Sequence, residues 1–190
     1  YINDNSKFLE KEIDGVPFVF VKTCNYEGNG KKRVINMFQY STRVLKVTKK
    51  FEKPDVIYAS SPHPLTWLAG YKIAKRYNAK FIAETRDMWP ETLVAMGAIS
   101  GNSIPAKILY KLEKFIYKKT DKLIFTMSGG KDYIKDKGWE KEVDLKKINH
   151  INNGIDIEEF NKNIPMYQIN DSDVLNDETF NVLYAGALGE

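Results

Sequence analysis

Apolar and polar residues alternate in blocks along this chain, and the period of the blocks changes. Gly15-Val-Pro-Phe-Val-Phe-Val21 is a short apolar run after a turn and predicts a strand. The residues before it, Tyr1 to Gly15, are polar and predict irregular structure. Cys24 to Gly30 reads as a loop, punctuated by Gly28-Asn29-Gly30. From Arg33 to Lys50 the positions Val34, Met37, Phe38, Ser41, Val44 and Leu45 recur at helical spacing. Pro54 to Ser60 predicts the second strand. The turn Ser61-Pro62-His63-Pro64 then launches a helix to about Tyr77, with proline suited to its first turn. Phe81 to Glu84 is the third strand, and Pro90 to Pro105 a longer connection with a short helix around Leu93. Ala106 to Lys119 predicts a helix whose apolar face is Ile108, Leu109, Leu112, Phe115 and Ile116.

Lys122 to Met127 is the fourth strand, Ser128-Gly129-Gly130 opens a helix that ends near Gly138, and Lys147 to Ile151 is the fifth strand. Asn152-Asn153-Gly154 signals a turn. Asp156 followed by Glu159 resembles a capping box and predicts a short helix over Ile157 to Phe160. Asn161 to Thr179 is polar and aperiodic and reads as a linker; Phe180 to Gly186 looks like a fresh strand. Strand–helix alternation of this kind predicts an α/β fold, a parallel sheet with helices on both faces.

Composition narrows the class. A chain of 190 residues, 43% hydrophobic and 28% charged, is ordinary for a globular protein of one domain or slightly more. The single cysteine, Cys24, excludes an intramolecular disulfide and fits a reducing cytoplasm. No ligand spacing joins Cys24, His63 or His150 into a metal site, so no metal is expected. The longest apolar run, Val16 to Val21, is too short to span a bilayer. A net charge of +4 is too small to imply nucleic acid; the lysines are dispersed and no aromatic-basic motif appears. The chain starts at Tyr1 with no signal-peptide pattern and stops soon after a strand begins, which suggests a piece of a longer protein.

Candidate chemistry concentrates where the third strand ends. Glu84, Arg86 and Asp87 arrive together, before Trp89 and Pro90. An arginine beside carboxylates holds a phosphate or a sugar hydroxyl, or ties down the strand end as an internal salt bridge. The carboxyl end of a strand in an open α/β sheet is where ligands bind, which favours function. The Ser61-Pro62-His63 loop occupies the equivalent place after the second strand and forms a second wall; His63 taken alone reads as a surface residue at a plain helix cap. Ser128 and Gly129 repeat the pattern after the fourth strand, where glycine lets a ligand approach the backbone, although packing explains the glycines as well. Gly28 to Arg33 lacks the spacing of a phosphate loop. Lys107, Lys111, Lys114, Lys118 and Lys119, with Glu113 alone opposed, make a basic amphipathic helix: a solvated face, or one that lies on anionic lipid.

Four stretches occur in a telling order: Pro54 to Thr66, Glu84-Thr-Arg-Asp-Met-Trp-Pro-Glu91, Asn153-Gly-Ile-Asp156 with Phe160, and Leu183-Tyr-Ala-Gly186. With them the chain resembles the retaining glycosyltransferases of family 4, and is most similar to the bacterial branch that builds capsule, O-antigen and exopolysaccharide. The resemblance implies a GT-B architecture of two Rossmann-like domains, with residues 1–160 as most of the acceptor-side domain, 161–179 as linker and 180–190 as the first strand of the nucleotide-sugar domain. It implies a nucleotide diphosphate sugar as donor, no further cofactor, and a saccharide or polyprenyl-linked acceptor. It places the protein in the cytoplasm, peripheral at the inner membrane face through Lys107–Lys119. Arg86 and Asp87, supported by Glu84 or Glu91, would contact acceptor or sugar. Ser61, His63, Ser128 and Gly129 would line the cleft, and Asn153, Gly154 and Asp156 would shape a hinge by the donor.

The chain departs from the family pattern in three places. The family's first strand and glycine-rich loop would precede Tyr1. Its diphosphate-binding basic residues and paired glutamates would follow Glu190. Arg86 stands where many relatives have histidine. The piece is therefore expected to be inactive alone. Two other readings fit less of the pattern: a nucleotide-sugar epimerase of the same fold, which needs no acceptor, and a non-catalytic saccharide-binding module.

Overall fold

The computed structural model describes residues 2, 6–28, 30–168, 171, 172, 175, 176, 178–182 and 184. The chain divides into two compact units, residues 1–152 and 153–190.

The first unit opens with a hairpin, β1 (Phe8–Ile13) against β2 (Val16–Val21). Asp14 and Gly15 between them both take positive φ, 52° and 76°. Two consecutive left-handed residues make the turn whose twist matches that of the strands, and Asp-Gly is a favoured pair for it. This corrects the expectation of irregular structure before Gly15. The charged run Glu10-Lys11-Glu12 masked the strand, because both faces of a two-stranded ribbon are largely wet. It also moves Val16–Val21 out of the parallel sheet: among the described residues β2 pairs with β1 alone.

The sheet itself has four parallel strands. Helix α1 (Lys31–Val47), extended by a 3-10 turn over Thr48–Lys50, leads to β3 (Val56–Ser61), α2 (Pro64–Tyr77) and β4 (Lys80–Thr85). Then follow α3 (Glu91–Ala95), α4 (Ile104–Lys119), β5 (Lys122–Phe125), α5 (Gly130–Asp136) and β6 (Ile148–His150). Strand order is β3-β4-β5-β6. This is the expected α/β, Rossmann-like sheet flanked by helices. Its register aligns Ser61, Thr85, Phe125 and His150 in one row at the carboxyl end.

Local chemistry sets the helix ends. Pro64 occupies the first turn of α2, and Asn78 closes the helix in the left-handed conformation. Ser103 caps α4, its hydroxyl accepting from the Ala106 N–H at 3.3 Å. One sheet face carries Ala59, Phe81, Ala83, Leu123 and Phe125 into a core with Trp67, Ile116, Tyr117 and Ile134. At Gly70, a Cβ would stand 2.7 Å from that of Ala59, so α2 lies as close as a glycine permits.

Helix α4 turns only part of the expected face to the core: Ile116 lies in it and Leu112 packs against it. Ala106, Glu113, Ile116 and Tyr117 are buried, whereas Ile108 and Phe115 are 60% and 37% exposed. Glu113, expected among the lysines, is fully buried. Lys114 and Lys118 both pair with Glu142. Among the described residues no helix is long and apolar enough to cross a membrane.

In the second unit α6 (Ile157–Asn163) runs about a turn beyond the expected Phe160. The Asp156 carboxylate caps it, accepting from the Glu159 N–H at 2.9 Å. Of the expected strand over 180–190, residues 183 and 185–190 lie outside the described residues.

Candidate functional site

The site grows from the end of β4, which lies between β3 and β5. Hydrogen bonds from α2, α4 and the β5 end hold that end. The Trp67 indole donates to the Glu84 carbonyl at 2.9 Å, the Thr126 N–H donates to the Thr85 carbonyl at 3.1 Å, and the buried Thr85 hydroxyl meets the Tyr117 hydroxyl at 3.1 Å. From this fixed point Arg86 and Asp87 emerge exposed. The chain then turns through the cis Trp89–Pro90 peptide, with the Thr92 N–H on the Met88 carbonyl at 2.7 Å, and enters α3. Arg86 and Asp87 line a cavity of about 380 Å³ with Met88, Glu91, Met96 and Met127. Among the described residues neither forms a salt bridge, so an internal ion pair is not what the pair of charges makes here.

The nearby carboxylates have distinct tasks. Glu84 accepts from the Tyr58 hydroxyl at 2.7 Å. Partial burial, and then that hydrogen bond, push the Tyr58 phenol up to about 12. Glu91 accepts from Lys137 and from the Tyr110 hydroxyl. Burial works against its ionisation, but these partners outweigh it and hold Glu91 below the usual carboxylate range. The Lys137 ammonium also lies 4.4 Å from the Tyr110 ring centroid and 5.5 Å from that of Tyr133. Deeper in, Glu113 accepts from the Tyr117 and Tyr133 hydroxyls, each at 2.9 Å. Burial pushes it up to about 8, although both hydrogen bonds favour the ionised form.

The other candidates fall in three places. Ser61 is fully buried, and its hydroxyl has no partner among the described residues. His63 is buried as well, edge-on to the Tyr40 ring at 6.2 Å. Burial and the Arg33 charge lower its pKa, and its side chain does not cap α2. A surface histidine at a plain cap is therefore corrected: the strand end and α1 enclose it. Neither residue lines the Arg86 cavity. Ser128 and Gly129 line a second cavity of about 350 Å³, with Lys131, Asn149 and His150. Gly130 is a packing glycine, since a Cβ there would run into the Phe125 ring. Asn153 and Gly154 are exposed in the second unit, where Asp156 is engaged as a cap. Among the described residues no three metal-binding side chains converge.

Sequence reasoning missed Tyr58, Tyr110 and Lys137, the partners of the carboxylates, and Met127 as a lining residue. Met127 was within reach: β5 stops at Phe125, and the Ser-Gly turn just beyond signals that a loop has begun.

Residues 5–159 match the family described as Glycosyltransferase Family 4. Among solved structures, sucrose-phosphate synthase from Thermosynechococcus elongatus is similar, with a TM-score of 0.55 at 11% sequence identity. The likeness covers 82% of this chain and 37% of that one, and at this identity it speaks for the fold. The search of curated proteins returned no match. The family match takes in the hairpin, the whole parallel sheet and the Arg86–Asp87 edge, and the chain belongs to glycosyltransferase family 4.

Proposed function

We propose that the protein transfers a sugar, with retention, from a nucleotide diphosphate sugar to a saccharide or lipid-linked saccharide acceptor in surface polysaccharide synthesis. One observation carries the reading: Arg86 and Asp87 stand exposed, without salt bridges among the described residues, in a cavity at the carboxyl end of an inner strand. In retaining transfer of this kind the leaving phosphate takes the acceptor proton, and the protein positions the partners and stabilises charge. Asp87 orients an acceptor hydroxyl, and Arg86 meets the negative charge that develops on the donor side. Glu91, pinned by Lys137 and Tyr110, holds α3 beside them. Residues 1–190 alone are expected to show no turnover.

The acceptor reading extends to the membrane surface. Ile104, Ile108 and Lys111 recur at helical spacing on the exposed side of α4, with Lys107 and Lys119 beside them. Apolar side chains set among exposed lysines suit an anionic lipid interface.

In the full-length enzyme, Asp87→Asn and Arg86→Ala are each expected to lower kcat/KM by about 100-fold, the scale of losing one stabilising group. Unchanged rates in both would remove this edge from the mechanism. Product analysis in the same assay separates transfer from epimerisation: an epimerase converts the donor with no acceptor present.

A further inference from the structure

The two cavities on the sheet's carboxyl edge share one lining residue. Met127, two residues past β5, borders both the Arg86 cavity and the Ser128–His150 cavity. The first lies beyond β4 and the second beyond β5 and β6, so the pair forms a track along the strand ends. We propose that the second cavity is a saccharide subsite, and that the acceptor is an oligosaccharide of at least two units. The reacting unit sits at Arg86 and Asp87; the next lies past Met127 against His150. The inference rests on the transferase reading.

The lining suits a sugar. Ser128, Asn149 and His150 offer hydroxyl, amide and imidazole groups, and Phe125, Met127 and Ile148 supply an apolar floor. Sugar hydroxyls need both donors and acceptors, while the ring's C–H faces need apolar contact. His150 Nε2 lies 2.6 Å from Asn152 Oδ1. A carbonyl oxygen only accepts, so Nε2 is the donor in this contact and the ring is held by it. The Asn149 amide donates to the Lys147 carbonyl at 3.0 Å, which fixes its orientation and leaves its Oδ1 as an acceptor.

The mouth and floor are set by the paired glycines. Gly129 takes φ +84° and lines the cavity with open space where a Cβ would stand. Gly130 lets α5 settle onto the Phe125 ring that forms the floor. Size points the same way. Each compartment, about 380 and about 350 Å³, is at the small end of the ~300–1,000 Å³ typical of ligand sites. A single sugar needs one of them. Two in series, divided by a flexible thioether, fit consecutive units of a chain.

The test is binding of the full-length protein to a printed array of mono- to hexasaccharides, neutral and acidic, with donor consumption measured in parallel. Disaccharides and longer chains are expected to bind about 10-fold better than single sugars, the scale of one or two added hydrogen bonds. His150→Ala and Asn149→Ala are expected to bring that ratio towards one with unchanged melting temperatures. A flat length profile, or a ratio that neither substitution moves, overturns the second subsite; if donor is still transferred, the transferase reading stands. No saccharide binding together with no donor consumption overturns both.

Discussion

Glu113 is a carboxyl group sealed in the core with two tyrosine hydroxyls aimed at its oxygens. The folded protein keeps its proton up to about pH 8, whereas the unfolded chain releases it near the ordinary value of 4.5. Between those values the unfolded state binds fewer protons than the folded one. Stability therefore falls as pH rises through the window and levels off above it, with a slope approaching ~1.4 kcal/mol per pH unit. Glu113→Gln keeps the shape and can still hydrogen-bond both tyrosines. Urea unfolding of this variant is expected to lose the slope between pH 5 and 8 and to show the higher stability at pH 8. A wild-type profile that is flat across that window would show that Glu113 is ionised in the fold. None of this was legible in the sequence, where Glu113 sits between Lys111 and Lys114 and looks solvated. Its partner Tyr133 is 20 positions away. Arg86 and Asp87 were legible because their exposure follows from where a strand must end.

At the scale of elements, helix α4 shows how an amphipathic pattern is misjudged. Its apolar residues occupy two sides, and Ala106, Ile116 and Tyr117 carry Glu113 with them into the core. The outward residues Ile104, Ile108 and Lys111 are left to solvent or to lipid, with Phe115 at their edge against Tyr71. Each lysine near an anionic surface contributes about 1 kcal/mol. Lys107→Glu with Lys111→Glu is therefore expected to weaken co-sedimentation with phosphatidylglycerol vesicles by about 10- to 100-fold, with no change on phosphatidylcholine. Equal partition of wild type and variant would leave these residues without a lipid role. Helix α5 depends on a different feature, the absence of a side chain at Gly130. Gly130→Ala would force the Phe125 ring and α5 apart, and an unfolding free energy lowered by about 1–3 kcal/mol in urea is the expected reading. The hairpin is the element that reading by hydrophobicity overlooked. Asp14-Gly15 announced it, but a charged ribbon carries too little apolar alternation to be seen from its strands alone.

At the scale of the molecule, strand–helix alternation was enough to specify the parallel sheet, because strands joined through helices pair in parallel and bury their apolar residues under those helices. Where the stable core ends was not legible, since Asn152-Asn153-Gly154 reads equally as an internal turn. The core residues run from Ala59 to Ile148, and none lies in the second unit. In that unit Ile155, Ile157, Phe160, Tyr167 and Phe180 are all more than half exposed. A chain ending at Asn152 should therefore keep the cooperative core while shedding exposed apolar surface. Its melting temperature is expected to stay within about 4 °C of that of residues 1–190, the shift that ~1 kcal/mol produces at this size. Binding of a hydrophobic dye should fall in the same comparison. A drop beyond 10 °C, or dye binding that persists, would mean that residues 153–190 support the sheet and that the division at Asn152 is not a boundary of stability.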